Sequence, residues 1–310
     1  MMNNNYSSFY IGYISLLTVI LLQCSFATGS GNTIDKAHFD FGIQSGYLYS
    51  RTDSAYFRKG GEWNFETGFL GYYTEKMPLV TNPKWRERLM LFVPLGFEVY
   101  PCSTIALQFE FTSLFAEFPY RDIHSIGGKS PRFQTKMLLA RERDIFPAIA
   151  LTVGVTFSSA KPYNIWDKTH NYNESNGLAG AGTGVTDYIM IFTFSKRLSG
   201  KLTLNSRIGL IPLGSPVEYV RGASQADEIP YGLMLVASPF DRISIHGEIS
   251  GMYNGLKSTK LAHYSVLRFA PAYHFKSTDV SLNLEKGLTE ESDTWTLGFY
   301  AKFFFKSTDK

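Results

Sequence analysis

Apolar and polar residues alternate along one segment of this sequence after another, and this spacing restricts the fold more than any other feature. In the last such segment every second residue is apolar: Trp295, Leu297, Phe299, Ala301, Phe303 and Phe305. Successive side chains of a β-strand point to opposite faces, so the spacing predicts a strand with one apolar and one polar face. The same spacing recurs at 105–112, 149–157, 187–195, 243–250 and 280–285. The sequence therefore predicts an all-β protein.

Composition limits which kind of all-β protein this is. Aromatic residues make up 15% of the chain and charged residues 18%, whereas charged residues usually make up about a quarter. This aromatic content excludes intrinsic disorder, and a mean hydropathy of −0.09 excludes a bundle of membrane-spanning helices. A net charge of +3 is too small to indicate nucleic acid as a partner. A soluble β-sandwich also alternates, but the polar faces here are rich in Gly, Ser, Thr and Asn rather than in Lys and Glu.

The connections between the predicted strands alternate in length. Short connections lie at 100–104, 141–147, 198–200, 238–241 and 275–279. Longer polar stretches lie between them, at 74–87, 116–131, 159–184, 214–229, 254–262 and 286–294. Short turns at one end and long loops at the other are typical of outer-membrane barrels, which present no unpaired strand edge to lipid. We therefore predict a transmembrane antiparallel up-and-down β-barrel.

Twelve predicted strands account for residues 61–305, which we assign to the barrel. Their expected bounds are 61–73, 88–100, 103–115, 132–142, 147–158, 185–198, 200–213, 230–239, 242–253, 263–275, 277–287 and 294–305. An even number places every short turn on the same side as both termini, as in bacterial single-chain barrels. Residues 38–49 alternate weakly, which leaves fourteen strands as an alternative. With twelve strands, we assign residues 28–60 to a periplasmic or plug segment and residues 306–310 to a C-terminal tail.

The N-terminus has the pattern of an export signal. An apolar run from Tyr13 to Leu22 precedes small residues at Ser25 and Ala27, so we expect residues 1–27 to be a signal peptide that is cleaved after Ala27. Residues 1–12 contain no Lys or Arg, which leaves an uncut signal anchor as an alternative. Lipoprotein processing at Cys24 is a second alternative. Export of a barrel predicts the bacterial outer membrane as its location, with outer-membrane lipid and lipopolysaccharide as its surroundings.

The polar faces of the strands predict the lining of the barrel. If the apolar faces meet lipid, the inward set includes eight titratable residues: Glu98, Glu110, Lys136, Arg207, His246, Glu248, Arg268 and Glu285. Glu62, Glu66, Gln108 and Asn283 belong to the same set. Acids and bases are mixed, which predicts partly paired charges rather than a filter of one sign. Twelve strands lie between barrels filled by side chains and barrels with an open aqueous channel, so conduction is compatible with the fold but does not follow from it.

Aromatic residues near the predicted strand ends suit the girdles of a barrel at the two membrane interfaces. They are Tyr47, Tyr49, Trp63, Tyr72, Tyr73, Tyr100, Tyr273 and Trp295. The final strand, from Trp295 to Phe305, resembles the C-terminal signal by which the bacterial barrel-assembly machinery recognises its clients. That resemblance implies the assembly machinery as a partner.

Two motifs in the longest loop suggest chemistry that the rest of the sequence does not support. The glycines at 180–184 look like a phosphate-binding loop, but they lack the strand–turn–helix context and the lysine. His170 and Ser175 resemble the histidine and serine of outer-membrane phospholipases, although Asn173 occupies the expected histidine position. The remaining histidines, at 124, 246, 263 and 274, have no metal-ligand spacing. We predict no cofactor, no metal and no catalytic residue.

The stretch from Phe146 to Leu213 resembles an outer-membrane family named for the meta-pathway of phenol degradation. The residues that match its motifs are Pro147, Ala150, Leu151, Gly154, Gly182, Thr183, Gly184 and Asp187. The resemblance covers about a quarter of the chain. It implies a barrel and the passage of small, including aromatic, compounds, and it implies no catalytic residue.

Three functions are open at this stage. A passive channel or transporter for small solutes, including hydrophobic or aromatic ones, is the main expectation. A non-conducting structural or surface barrel is the alternative, and a lipid-cleaving barrel enzyme is a second alternative.

A closed barrel predicts a simple gel behaviour. Because its hydrogen-bonded ring unfolds slowly, the protein should stay folded in SDS at room temperature and unfold on boiling. Unheated samples from outer-membrane fractions should therefore migrate differently from boiled samples on a cold gel. Identical migration, with the protein in the soluble fraction, would contradict the barrel.

Overall fold

The computed structural model describes residues 54–74, 88–118, 121–157, 186–212, 228–254, 263–289, 292 and 294–306. Twelve antiparallel strands form one closed barrel in which consecutive strands are neighbours. They are β1 Glu62–Thr74, β2 Arg88–Cys102, β3 Ile105–Phe118, β4 Arg121–Ala140, β5 Ala148–Thr156, β6 Asp187–Ser199, β7 Leu202–Leu210, β8 Glu228–Phe240, β9 Ile243–Asn254, β10 His263–His274, β11 Thr278–Gly287 and β12 Trp295–Lys306. Within the described ranges, no helix is long and apolar enough to cross a membrane.

Pairing of the first and last strands closes the ring. β1 pairs with β12 from Glu62↔Lys306 to Tyr73↔Trp295, and its other edge pairs with β2. Both edges of β1 are therefore used, and the predicted twelve-stranded up-and-down barrel is confirmed. The fourteen-strand alternative is wrong, because the closed ring has no gap for a further pair. β1 begins and β12 ends at the end of the barrel that carries the short turns, which we call the short-turn end.

The hairpin of β3 and β4 differs from the sequence prediction. Residues 116–131 were expected to form a long loop, but β3 continues to Phe118 and β4 begins at Arg121. The two strands stay paired beyond the point where the apolar alternation stops, for example at Ser113↔Gly128 and Glu117↔His124. Strand pairing is made by the backbone and does not require an apolar side chain. The end of an apolar pattern therefore does not mark the end of a strand.

The outer surface of the barrel is apolar. Large aliphatic and aromatic side chains are exposed on most strands: Phe69, Val93, Leu95, Phe97, Phe109, Phe111, Met190, Ile208, Leu233, Leu235, Ile249, Leu267, Phe269, Leu282, Leu284, Leu297 and Phe299. A monomeric soluble protein rarely exposes so large a continuous apolar area. Lipid is the environment in which this surface is stable, because the backbone groups beneath it are all paired within the ring.

Aromatic side chains lie on the outer surface near both ends of the strands. At the short-turn end these are Trp63, Phe240, Tyr273, Phe275 and Phe305. At the opposite end, which we call the long-loop end, they are Tyr73, Phe157, Tyr188, Tyr253 and Trp295. Trp63 stacks on Phe305 with ring centroids 3.9 Å apart. The prediction was wrong for Tyr72 and Tyr100, which are buried inside the barrel because their positions alternate with the outward ones. Tyr47 and Tyr49 lie outside the described residues.

Tyr300 fills the interior wall between two glycines. The ring of Tyr300 is buried beside Gly68, which is its direct partner on β1. A Cβ atom added to Gly68 would lie 2.5 Å from Cδ1 of Tyr300 and 2.6 Å from the carbonyl oxygen of Phe299. On the other side, a Cβ atom at Gly298 would lie 2.6 Å from Leu70. The seam that closes the barrel therefore depends on the absence of side chains at these two positions.

A Gly68→Ala substitution should weaken this seam, because the new methyl group meets both a side chain and a fixed backbone carbonyl. Overpacking of this kind typically costs about 1–3 kcal/mol. Gly247→Ala is the matched control, since a Cβ atom there meets nothing within 4 Å. The measurement is the urea concentration at which the folded band disappears on an unheated gel. Equal midpoints for the two variants would contradict this description of the seam.

Candidate functional site

The candidate functional site is the interior of the barrel together with its short-turn end. All eight predicted lining residues occupy inward positions of their strands, and each is at most 9% exposed. They are Glu98 on β2, Glu110 on β3, Lys136 on β4, Arg207 on β7, His246 and Glu248 on β9, Arg268 on β10 and Glu285 on β11. Glu66, Gln108 and Asn283 are buried as well. The structure thus brings charged groups from seven different strands into one enclosed space.

Lys302 lies at the centre of a charged cluster. Its Nζ lies 2.5 Å from Oε1 of Glu66 and 3.6 Å from Oε2 of Glu98. Glu98 also accepts hydrogen bonds from Nδ2 of Asn64 at 2.9 Å and from Nε2 of Gln108 at 2.8 Å. We call these five residues the Lys302 network. It joins β12, β1, β2 and β3 across the seam of the barrel, and each of its carboxylates has a cation or amide donor beside it.

Arg268 is the centre of a second charged cluster. It forms a buried ion pair with Glu248 on β9, and its Nη2 also lies 3.7 Å from the sulfur of Met234. The strand register places Glu285 on β11 directly opposite Arg268 on its other side. A third pair, Arg132 with Glu110, joins β4 and β3 at 3.5 Å. Cations therefore stand opposite acids on neighbouring strands, as the mixed signs in the sequence predicted.

A hydrogen-bonded chain of two histidines lies near the short-turn end. Nδ1 of His274 is 2.9 Å from Oδ1 of Asp279, and Nε2 of His274 is 3.0 Å from Oγ of Ser244. Nε2 of His246 is also 3.0 Å from that hydroxyl. The order of Ser244, His274 and Asp279 matches a Ser–His–Asp triad. Ser244 is 0% exposed, however, and its hydroxyl is held between two imidazoles. A nucleophile must be reachable by its substrate, so we interpret this chain as part of the interior wall.

A short segment that precedes β1 crosses the short-turn end of the barrel. We call Ser54–Arg58 the strap. Ser54 and Ala55 are buried, and Ala55 packs against Ala148 and Ala150 of β5. The backbone N–H of Ala55 donates to Oγ of Ser195 on β6 at 2.6 Å, and that hydroxyl donates to Asn205 at 2.6 Å. The strap therefore leads from the start of β1 to the wall formed by β5 and β6.

Two further contacts fix the remaining residues of the strap. The hydroxyl of Tyr56 donates to Oε2 of Glu142 at 2.5 Å, in the connection between β4 and β5. Phe57 packs edge-on against Tyr100, and Nζ of Lys136 lies 5.1 Å from the centre of its ring. Arg58 lies over the ring of Phe304 at 3.8 Å. Every residue of the strap thus has a partner on the barrel, and the strap narrows the short-turn end.

Glu142 is the anchor of the strap outside the barrel wall. Partial burial alone would raise the pKa of Glu142, but hydrogen bonds from Tyr56, from the backbone N–H of Arg197 and from Lys196 lower it below its usual value. A lowered pKa means that these contacts stabilise the folded state above the ordinary pKa of a glutamate. They are lost as the pH falls through the lowered value. Glu142 is therefore ionised, and holds the strap, at neutral pH.

Sequence reasoning missed several interior residues that the structure brings into these clusters. Lys302 lies on the polar face of the last strand but was not assigned to the lining, and Arg132 was missed because its strand was expected to begin there after a loop. His274 and Asp279 flank a short turn, so their direct pairing across β10 and β11 was not visible in the alternation. Assigning inward and outward positions along each strand up to its last residue would have identified Lys302 as an inward residue. The register that pairs these residues is not encoded in the alternation.

Some predicted features lie outside the described residues, namely His170, Ser175, the glycines at 180–184, and the signal and plug segments up to residue 53. Within the described ranges, no group of three or more His, Cys, Asp or Glu side chains is arranged to hold a metal ion.

Comparison with known proteins supports the fold. The sequence matches no family model and no curated protein sequence. The structure is similar to an outer membrane channel from Pseudomonas putida F1, with a TM-score of 0.60 and 12% identity over 81% of this chain and 98% of that one. It is more distantly similar to the KdgM porin in complex with disordered oligogalacturonate, with a TM-score of 0.45 and 6% identity over 79% of this chain and 99% of that one. The P. putida toluene transporter TodX gives a TM-score of 0.39 and 7% identity over 80% of this chain and 90% of that one. The first likeness supports the fold, a closed antiparallel β-barrel, and the other two are too distant to carry an argument.

Loss of the cation at the centre of the Lys302 network should destabilise the barrel. A Lys302→Met variant leaves Glu66 and Glu98 buried beside each other without their ammonium partner, and breaking a buried pair in this way typically costs about 3–5 kcal/mol. The triple variant Lys302→Met, Glu66→Gln, Glu98→Gln removes the two charges and should recover most of that loss. Urea midpoints of the folded band measure both effects. A triple variant that is no more stable than the single one would show that the charges are not the cause.

Proposed function

We propose that this protein is a passive channel for small solutes in the bacterial outer membrane. The observation that carries the proposal is the reversal of the usual arrangement of side chains: the closed barrel is apolar outside, and its inner wall is formed by paired charged groups. Apolar side chains that fill a core are at least as stabilising as buried ion pairs. Core packing alone therefore does not account for a charged inner wall.

The proposed solute path follows the eight predicted lining residues. Glu98, Glu110 and Lys136 lie on β2, β3 and β4, and His246, Glu248, Arg268 and Glu285 lie on β9, β10 and β11, with Arg207 on β7 between the two groups. Acids and bases are mixed around this wall, so the path should not select strongly for one sign of charge. The strap narrows the short-turn end, which favours small solutes, and hydrophobic or aromatic compounds are among those that we expect to pass.

Membership of the meta-pathway family is part of the proposal, and the described part of the family motif supports it. Pro147, Ala150, Leu151 and Gly154 lie at or within β5, and Asp187 begins β6, its direct neighbour. Gly154 is needed there, because a Cβ atom would lie 2.5 Å from the carbonyl oxygen of Phe133 on β4. Gly182, Thr183 and Gly184 lie outside the described residues.

The proposed route to the membrane follows from both ends of the chain. Residues 1–27 would direct export as a signal peptide. The exposed aromatic and aliphatic side chains of β12, from Trp295 to Phe305, would be recognised by the barrel-assembly machinery. The outer surface would then contact lipid and lipopolysaccharide. Supporting this route, the pairing of β12 with β1 closes the ring.

A non-conducting structural barrel is the second candidate, and the strap is the observation that favours it. The strap fills part of the short-turn end, and the interior side chains are buried rather than exposed to an open lumen. The two candidates differ in whether the strap leaves, or can open, a path for ions.

Conductance across a planar lipid bilayer separates the two candidates. We expect the purified protein to give small discrete current steps. The double variant Ser195→Ala, Glu142→Gln should give larger steps, because it removes two of the partners that hold the strap. Lys276→Gln, at an exposed turn of the same end, is the control and should conduct like the native protein.

A closed trace at all voltages for the native protein and for the double variant alike would overturn the channel and leave the structural barrel. Steps of equal size in the native protein and the double variant would show that the strap does not narrow the path.

A further inference from the structure

A cavity of about 540 Å³ opens at the short-turn end, between the strap and the connection that joins β4 to β5. Its volume lies within the range of small-molecule binding sites. It lies beside the barrel interior rather than within it, and none of the eight lining residues forms its wall. The residues that do are Ala55, Tyr56, Phe57, Ser103, Leu138, Arg141, Glu142, Arg143, Asp144, Ala148, Lys196 and Arg197.

One wall of this cavity is apolar and held rigidly. Tyr56 and Phe57 present their rings from the strap, and Leu138 faces them from the end of β4. Both rings are held by contacts with the barrel, Tyr56 through its hydroxyl to Glu142 and Phe57 through Tyr100. Rigid aromatic walls bind the flat or aliphatic body of a ligand at little cost in conformational entropy.

The charged part of the lining is predominantly cationic. Of the six charged residues around the cavity, Lys196 and Glu142 neutralise each other, since Nζ of Lys196 lies 3.2 Å from Oε1 of Glu142. Three arginines, at 141, 143 and 197, then face a single acid, Asp144. The rim therefore carries an excess of positive charge, even though the barrel interior behind it is balanced.

The backbone of this wall is held in place before any ligand arrives. The N–H of Arg143 donates to the carbonyl oxygen of Phe146 at 3.0 Å, which closes the connection into a turn. Nζ of Lys196 donates to the carbonyl oxygens of Arg143 and Asp144 at 2.7 and 2.8 Å. The positions from which the side chains of Arg141 and Arg143 extend are thus fixed against β6.

From this juxtaposition of an aromatic wall and a guanidinium rim, we propose that the cavity binds small organic anions, namely carboxylates with an aromatic or aliphatic body. A guanidinium group pairs with a carboxylate through two parallel hydrogen bonds. The apolar wall favours an anion with an organic body over a compact inorganic anion. The proposal goes beyond channel activity and does not depend on it, because binding at this end requires no passage through the barrel.

Isothermal titration of the full-length protein in detergent micelles tests the proposal, with empty micelles as the blank. Benzoate should bind. Benzamide, which has the same shape without the charge, should bind at least about ten-fold more weakly, as expected for loss of a charge-assisted hydrogen bond. Acetate and inorganic phosphate should also bind more weakly than benzoate, because neither has a body to fill the apolar wall.

Variants locate the binding site. Arg143→Gln and Arg141→Gln should each weaken benzoate binding, and the double variant should abolish it. Lys276→Gln removes one positive charge from an exposed turn at the same end, outside the cavity, and should leave benzoate binding unchanged. A folded band on an unheated gel confirms that each variant has assembled.

Benzoate that binds no better than benzamide, or that binds the double arginine variant as it binds the native protein, would overturn the proposal. The outcome is separate from the test of the channel. A barrel that does not conduct but binds benzoate through Arg143 would refute only the channel, and a barrel that conducts without binding benzoate would refute only this site.

Discussion

Every backbone N–H and C=O of a strand that faces lipid must find its partner within the protein, and this constraint organises the whole molecule. The pairing of β1 with β12 meets it by turning an open sheet into a ring. Once the ring is closed, the outer face can be apolar without exposing a strand edge. The polar side chains of the strands must then point into the interior. At the closing seam Tyr300 and Leu70 pack closely against two glycines.

The enclosed polar face creates a second problem, because charges that are removed from water need partners. The strand register solves it by placing cations between acids. Lys302 lies opposite Glu66 on one side and Asp279 on the other, and Arg268 lies between Glu248 and Glu285. Pairs of this kind contribute little net stability compared with apolar packing. Their value is a polar wall that stays ordered, and this is the property that a solute path requires.

The strap precedes β1, and it makes the opening at one end of the barrel different from the opening at the other. At the long-loop end the described strands lead into long connections. At the short-turn end, Ser54–Arg58 crosses the opening and is tied to β5, β6 and Glu142. The same residues form one wall of the cavity in which we place an organic anion. In the proposed channel a solute that leaves the interior at this end would pass the strap, so the contacts that hold the strap and the residues of the proposed binding site lie at one location.

The sequence by itself determined the barrel, its strand count, the end on which the short turns lie, and which side chains face inward. It could do so because the two faces of a strand have a period of two, and because lipid and the interior make opposite demands on those faces. Two predictions failed near strand ends: the end of the alternation was taken for the end of β3 and the start of β4, and nearness to a strand end assigned Tyr72 and Tyr100 to the outer girdle although the alternation places them inside. Tertiary structure alone decided which inward residues meet. Lys302 and Glu66 are far apart in the chain, His274 reaches Ser244 across a strand boundary, and the strap lies against β5 and β6 on the far wall. These contacts depend on the strand register and on the closure of the ring, and neither is set by the chemistry of any single segment.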